Sequence, residues 1–246
     1  VTIKGKKITD YKLIYIRDIE GIYAQAAILA HIARMYGVSV VDSSLAYDIL
    51  SADNKVEYAV RSKLNGLPVP HTLYSPSYEE LLNISDNIKF PAVLKVVDLH
   101  RGQGVFLVNS KEEIRKYFEE KGESGRRDFL LQEKVDYVKD YRIIVVGKKI
   151  LGAIEHEAHT GEFRANINSE SRARSVAKID PKLASIALKA ANMMSLDIAG
   201  VDVIEDKFGN YFIIEINRSP KTKEFEELTG IDALEAIFKY FREIIS

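Results

Sequence analysis

The sequence predicts an α/β protein assembled from α+β lobes, and three observations carry that expectation. Short runs with period-two alternation, such as VFLV at 105–108 and YFIIEIN at 211–217, recur between stretches with helical spacing. Glycines close those stretches at Gly37, Gly66 and Gly122, where a helix stops in a left-handed turn. Toward the C-terminus, AGVDVIEDKFGNYFIIEIN reads as a β-hairpin that carries two acids and an amide.

The elements follow in order. VTIKGKKI and YKLIYI read as two short strands around a Gly-Lys turn, and an Ala/Ile-rich helix is expected from Glu20 to Tyr36. VSVV then gives a short buried strand, and a helix capped by Asp53 or Asn54 runs through Val56, Ala59, Val60 and Leu64. After LPVPHTLY come a short helix (YEELLNISDN), a strand (FPAVLKVVD), a glycine loop (HRGQG) and the strand VFLV. The amphipathic helix KEEIRKYFEEKG and the apolar strand FLLQEKV complete this second lobe. YRIIVVGKKILGAIEHEA is a hairpin turning at Gly147, Asp180-Pro181 caps a helix facing inward through Leu183, Ile186, Ala187, Ala190 and Met194, and a last helix begins near Ala233. The boundaries expected are a partial N-terminal lobe at 1–52, a central lobe at 53–135 and a C-terminal lobe at 136–246.

Composition excludes several classes of function. The chain has 246 residues, 46% hydrophobic and 29% charged, enough for a substantial core. A net charge of −1 gives no bulk attraction to nucleic acid or membrane, and no apolar run approaches a membrane span. Zero cysteines remove disulfides, thiolate metal sites and cysteine nucleophiles, and they fit a reducing, cytoplasmic setting.

In the hairpin, Asp202 and Ile204 point one way and Val201 and Val203 the other. On the returning strand Tyr211, Ile213, Glu215 and Asn217 are expected to share a face opposite Phe212, Ile214 and Ile216. A four-residue turn from Lys207 to Asn210 would place Asp202 directly across from Glu215. Facing like charges destabilise a hairpin unless a cation sits between them. Two carboxylates and an amide suit Mg²⁺, which also takes substrate phosphates. The alternative is a pair of solvated edge carboxylates.

Upstream cations favour the metal reading. Lys95 lies in AVLKVV, an apolar strand where a lysine is costly unless an anion neutralises it. The turn Arg101-Gly102-Gln103-Gly104 follows, and its backbone N–H groups suit a phosphate. FLLQEKV, as an edge strand at a lobe junction, offers backbone groups to an adenine base, with a carboxylate beyond it for ribose hydroxyls. Arg142 faces the same way as Asp140 and needs an anion if buried. Arg164 and Asn166 share a face in GEFRANIN; Arg172, Arg174 and Lys178 make the following stretch basic. His100 is a modest candidate for a phosphate or substrate contact. His156 and His159 have the wrong spacing and context for a zinc protease, and read as surface or satisfied strand residues.

Lys55 in its capped helix, LPVPHT, FPAVLKVVDLHRGQGVFLV, LLQEKV, KDYRIIVVG, GEFRANIN, IAGVDVI and IIEINRSP together resemble the ATP-grasp superfamily. Within it the likeness is to RimK-type amino-acid (glutamate) ligases, with LysX-type carrier-protein ligases as near relatives. The resemblance implies an ATP-grasp fold whose N-terminal β-α-β lobe is shortened here. It also implies that Lys55 and Lys95 hold nucleotide phosphates, that Gln132, Glu133, Lys134 and Val135 form the adenine hinge, and that Asp140 points toward the ribose. Arg142 and Arg164, accompanied by Asn166, resemble the arginines that face the transferred phosphoryl group and the acyl intermediate. Asp202, Glu215 and Asn217 resemble the ligands of Mg²⁺, with Mn²⁺ as a substitute.

Two loops depart from the relatives. Ser169 to Arg174 stands where a paired-glycine loop is usual, and Lys221 replaces the glycine of Asn-x-Ser-Pro-Gly. The chain opens at Val1 inside a strand pattern without an initiator Met, as a fragment or an unusual start would, and the opening β-α-β of the relatives is lacking, which suggests truncation, a reduced lobe or a separate partner. The expected activity is ATP-dependent amide formation between a carboxylate, on a small molecule or a peptide, and the amino group of glutamate or another amino acid. The basic stretch 164–178 with Arg218 is expected to receive the amino acid's extra carboxylate. An ATP-binding regulatory or assembly module without ligase activity, and an ATP-grasp kinase, are the alternatives. Nucleic acid and membrane are not expected partners; a homo-oligomer is compatible with the family.

Overall fold

In the computed structural model, residues 1–17, 19, 21–47, 55–97, 104–121, 128–157 and 173–246 are described. The chain opens with a miniature hairpin of β1 (Thr2–Ile3) and β2 (Lys6–Lys7), turning through Lys4 and Gly5. Both turn residues have positive φ, 47° and 80°, which matches the twist of paired strands. β3 (Leu13–Tyr15) and β4 (Ser39–Val41) then pair in parallel across α1 (Tyr23–Met35), and α2 (Ser44–Tyr47) follows. The helix begins three residues later than the sequence pattern suggests. Its buried positions are all alanines, at 26, 27, 30 and 33, so it can lie close on its small sheet.

The central lobe comprises α3 (Lys55–Leu64), β5 (Thr72–Ser75), α4 (Tyr78–Ile84), β6 (Ala92–Val96), β7 (Val105–Val108), α5 (Lys111–Lys121) and β8 (Phe129–Glu133). Its four strands form an antiparallel sheet in the order β5-β8-β6-β7, covered by α4 and α5 through Leu81, Ile114 and Phe118, which share a core with Phe129 of β8. The sequence suggested an edge strand for FLLQEKV, but β8 lies inside the sheet between β5 and β6. Its residues 129–132 are all buried, which requires a neighbour on each side to satisfy the backbone. The apolar stripe of α3 is also corrected. Val60 and Leu64 are 47% and 80% exposed, while Tyr58, Ala59 and Ser62 face inward. Tyr58 and Ala59 pack into the core of the C-terminal lobe.

That lobe is built from β9 (Tyr137–Val146), β10 (Lys149–Glu157), β11 (Ala173–Ser175), α6 (Pro181–Met193), β12 (Ile198–Asp206), β13 (Tyr211–Asn217), α7 (Lys223–Thr229) and α8 (Ala233–Ile245). The strands form one antiparallel sheet in the order β11-β10-β9-β12-β13. Asp180 caps α6 by accepting hydrogen bonds from the amides of Lys182 and Leu183, with Pro181 at the first helical position. One sheet face, including Ile143, Val145, Val201 and Val203, packs on α6. On the other face Ile144, Ile154 and Ile198 are covered by Phe225 of α7 and Ile237 of α8.

The pairing of Asp202 with Glu215 is observed, but by a different route from the one expected. Asp206 N donates to Asn210 O and Gly209 N to Asp206 O, both at 3.0 Å, so the turn has three residues, with Gly209 at φ 77°. A β-bulge then restores the register: Val203 faces Ile213, Asp202 faces Glu215, and Ile214 opposes no residue. The extra residue reverses the side-chain alternation. Tyr211 and Ile213 therefore share the α6-side core with Ile216, rather than a face with Glu215 and Asn217.

Candidate active site

Asp202 is buried in the middle of β12, flanked by Arg142 on β9 and Glu215 on β13. Arg142 Nε and Nη2 each donate to one carboxylate oxygen of Asp202 at 2.8 Å, a bidentate pair. The Asn217 amide lies 3.5 Å from Asp202 Oδ2. Burial, with Asp202 beside it, pushes the Glu215 carboxyl above the usual range; Lys95, Lys55 and Arg142 oppose that shift. Asp140, two residues before Arg142 on β9, is pushed up to about 7 by burial and by Asp202, against the pull of Arg142.

Two lysines approach the acids from the central lobe. Lys95 is buried on β6, and its Nζ donates to Gln132 Oε1 at 2.7 Å. Gln132 Nε2 donates in turn to Thr72 Oγ1 at 2.9 Å, which fixes the amide's orientation. Burial lowers the Lys95 ammonium to about 8, while Glu215 draws it upward and Lys55 pushes it further down. Lys55, the first residue of α3, donates to the carbonyls of Val96 and Val97, at 3.5 and 3.3 Å. Both ammonium groups thus gather at the end of β6, within electrostatic reach of Glu215.

Tyr58, which the sequence did not single out, locks these lobes together. Its hydroxyl donates to the carbonyl of Ile214, the bulged residue, and Asp202 and Glu215 raise its pKa further above a level already lifted by burial. Ile213 N donates to Pro68 O at 2.8 Å, so the same bulge is held twice.

The remaining site residues fall as follows. Glu133 ends β8, with its amide donating to His71 O at 2.8 Å; Lys134 Nζ pairs with Asp136, and Val135 lies in the connection to β9. Arg164, Asn166, Arg172, His100, His159, the turn residues 101–103, the cap residues 53 and 54, and Gly122 lie outside the described residues. His156 is buried rather than on the surface, with Nε2 3.2 Å from Glu224 Oε1.

The basic patch expected at 164–178 with Arg218 does not hold for its described arginines. Arg174 on β11 pairs with Glu155 and Glu157. Arg218 is buried against Asp42 at 3.3 Å and donates to Ile16 O at 3.2 Å. Asp42, also missed in the sequence, accepts from the amides of Asp197 and Ile198 at 3.0 Å each. Its position one residue past β4 gives no local sign of partners about 155 residues away.

The donor set suits a divalent cation: two acids are brought into apposition on neighbouring strands, an amide stands beside them, and burial with Asp202 holds Glu215 above the usual carboxylate range despite Lys95, Lys55 and Arg142. Among the described residues no three Asp, Glu or His groups converge, so the site depends on the two acids and the amide.

An acid pair on an antiparallel hairpin, approached by Lys95 of a separate four-stranded sheet and by Lys55 of α3, suits a metal–nucleotide. The chain belongs to the family of RimK-like ATP-grasp domains, whose model matches residues 52–241. It is an ATP-dependent carboxylate–amine ligase.

Among its relatives is a probable alpha-L-glutamate ligase of Legionella pneumophila (strain Corby), 31% identical over 229 residues, covering 90% of this chain and 72% of that protein. A ribosomal protein bS6–L-glutamate ligase of Escherichia coli is 31% identical over 237 residues, covering 93% and 76%. The fold is similar to that of a RimK domain ATP-grasp protein from Sphaerobacter thermophilus, with TM-score 0.69, 19% identity and coverage of 94% and 81%. It is also similar to the ATP-grasp ligase PsnB solved with a minimal precursor variant, Mg and ADP, with TM-score 0.70, 17% identity and coverage of 93% and 79%.

Proposed function

We propose that this ligase joins glutamate, or another amino acid, through its amino group to a carboxylate on a small molecule, peptide or protein. The observation that carries the site is the Asp202–Glu215 pair facing Lys55 and Lys95 across the lobe junction. In this reading Lys55 and Lys95 hold the nucleotide phosphates, the segment Gln132 to Val135 takes the adenine, and Asp140 lies on the ribose side. Asp202, Glu215 and Asn217 hold Mg²⁺, or Mn²⁺ in its place, through oxygen donors. Arg142, with Arg164 and Asn166, faces the transferred phosphoryl group.

Bound Mg–ATP supplies the phosphoryl group that activates the carboxylate toward an amine. The chain itself supplies preorganised charge. Asp202 holds two nitrogens of the Arg142 guanidinium, and Gln132, itself oriented by Thr72, holds the Lys95 ammonium. Lobes at 1–52, 53–135 and 136–246 and a cytoplasmic location complete the reading, the latter supported by the absence of cysteine.

Glutamate is favoured by the names of the relatives, since Arg174 and Arg218 are committed to carboxylates of the chain. The test is ADP release with glutamate and a panel of carboxylates, followed by mass spectrometry of the product. A glutamyl amide formed only with both substrates present is the expected result. ADP release without an amine requirement, giving a stable phosphorylated product, would instead mark a kinase.

A further inference from the structure

We propose that Glu224, in the first turn of α7, binds the ammonium of the incoming amino acid and takes the proton its nitrogen must lose, while the buried His156 positions it. This role rests on the amide-forming reaction proposed for the chain, and it supplies a group that reaction needs. An amine arrives protonated, and Lys55, Lys95 and Arg142 are cations that repel it. Of the acids already described, Asp202 is gripped by Arg142, Glu215 faces it across the hairpin, and Asp140 is buried. Glu224 differs from them, with 51% of its side chain exposed.

The sheet sets both residues beside the acid pair. His156 on β10 pairs with Asp140 on β9; two positions back Ile154 pairs with Arg142, which pairs in turn with Asp202. Alternation puts His156, Asp140, Arg142 and Asp202 on one face, with His156 diagonal to Arg142 at ~7 Å by ladder geometry. Phe225 of α7 is fully buried, and a Cβ on Gly152 of β10 would lie 2.9 Å from its ring, so the glycine lets α7 lie close on this face. Glu224 is thereby carried to His156, with Oε1 3.2 Å from Nε2. Its charge reaches the same row: after burial, Asp202 and the opposing Arg142, Glu224 also raises Asp140.

Packing alone does not call for an imidazole here. Ile154, on the same face of β10, is apolar and fully buried, and an aliphatic side chain at 156 would fill its place without burying a polar atom. Instead Nδ1 is buried with no hydrogen-bond partner. A carboxylate only accepts, so Nε2 carries the proton and donates to Glu224 Oε1, and Nδ1 is left bare. Among the described residues Glu224 pairs with His156 alone, which leaves Oε2 open to a ligand. An ammonium hydrogen-bonded there passes one proton to Oε2, and the freed lone pair forms the C–N bond at the carbonyl carbon of the acyl phosphate. The C–O bond to the phosphate breaks, and its electron pair leaves with that group. The nitrogen's second proton goes to the departing phosphate, and Glu224 returns its own to water.

Hydroxylamine isolates this step, because its nitrogen is unprotonated at neutral pH and attacks an acyl phosphate without a base. ADP release and product mass are measured on the full chain across the carboxylate panel, with L-glutamate, other amino acids or hydroxylamine as the amine. Circular dichroism and melting confirm that each variant is folded. Glu224→Gln should lower kcat/KM for the amino acid ~100-fold while hydroxamate formation stays within about threefold of the native rate. His156→Leu should raise the KM for the amino acid about 10-fold, and His156→Gln, which keeps an N–H donor, should bring it back to within about threefold. Unchanged amino-acid kinetics in Glu224→Gln, or equal losses with amino acid and hydroxylamine, would overturn the proposal and leave the ligase reading standing. So would a native chain that makes hydroxamate but no amide with any amino acid. A His156→Gln variant no better than His156→Leu would overturn the positioning role. A native chain that yields neither amide nor hydroxamate would overturn the ligase reading, and this proposal with it.

Discussion

Arg142 on β9 grips both carboxylate oxygens of Asp202 on β12, at 2.8 Å each, across directly paired backbone positions. The sheet ladder presets the two Cα atoms, so the fork forms with little loss of side-chain freedom. The cation required by the facing acids is therefore partly built into the sheet. It is bound to Asp202 alone, which leaves Glu215 the less compensated of the two.

Arg142→Lys keeps the charge and loses the fork. Lysine presents a point charge that cannot span both oxygens and still face a phosphoryl group. Steady-state ADP-release kinetics should show kcat/KM falling ~10²–10³-fold, the range for loss of one preorganised charge donor. Arg142→Met leaves Asp202 charged and buried without its partner, and thermal or urea unfolding should register a loss of about 3 kcal/mol. If Arg142→Lys matched the native chain, the fork would have no part in the reaction.

Glu215→Gln should separate stability from function. Glu215 is held above the ordinary carboxylate range by burial and by Asp202, so the metal-free fold carries a repulsion that glutamine removes. In chelator, the variant should therefore be more stable than the native chain. On adding Mg²⁺ and a non-hydrolysable nucleotide, the native chain should gain melting temperature and the variant should not. A variant that is destabilised in chelator, yet still gains from Mg²⁺, contradicts the metal assignment.

The sheets and the acid pair were legible because alternation reports which residues face a core, and a hairpin's partners are neighbours in sequence. The bulge at Ile214 was not legible. One extra residue leaves no mark in the alternation, and what holds it comes from Tyr58 and Pro68, far away in the chain. The Arg142–Asp202 pair was hidden because β9 joins β12 only in the non-sequential order of the sheet. Arg218 read as a cation available to substrate because nothing local announces Asp42 as its partner.

Gly200 shows the same limit from the other side. It sits opposite Asn217 in the β12–β13 ladder, and a Cβ there would lie 2.8 Å from the Cβ of Pro220. The glycine lets the chain after Asn217 fold back across the strand. Gly200→Ala should push that segment away and displace the Asn217 amide. Calorimetric titration of Mg²⁺ with a nucleotide analogue present should show affinity reduced about 10-fold, as for other residues that orient a ligand. Overpacking should also cost about 1–3 kcal/mol in unfolding experiments. Affinity equal to that of the native chain would mean that Asn217 is placed without help from this contact.

Asp140, Asp42 and Lys95 shape the pH dependence of the metal-free fold. Asp140 is raised from an ordinary value of 3.8 to about 7, by burial first and Asp202 second. Between those values the native state holds a proton that the unfolded chain has lost. Stability contributed by the protonated carboxyl is therefore fully present below the lower value and is lost as pH rises through the upper one. Lys95 works in the opposite sense. Its pKa falls from 10.5 to about 8, so in that window the unfolded chain holds the extra proton, and stability rises with pH. Urea unfolding in chelator should thus show stability declining from about pH 4 to 7 and recovering from about pH 8 to 10. Asp140→Asn should make the acid limb shallower, leaving the part that Asp42, itself raised to about 7 by burial, contributes, and Lys95→Met should flatten the alkaline limb. An alkaline limb that survives Lys95→Met would assign that proton to a different group, and would remove the evidence that burial works against the charge of Lys95.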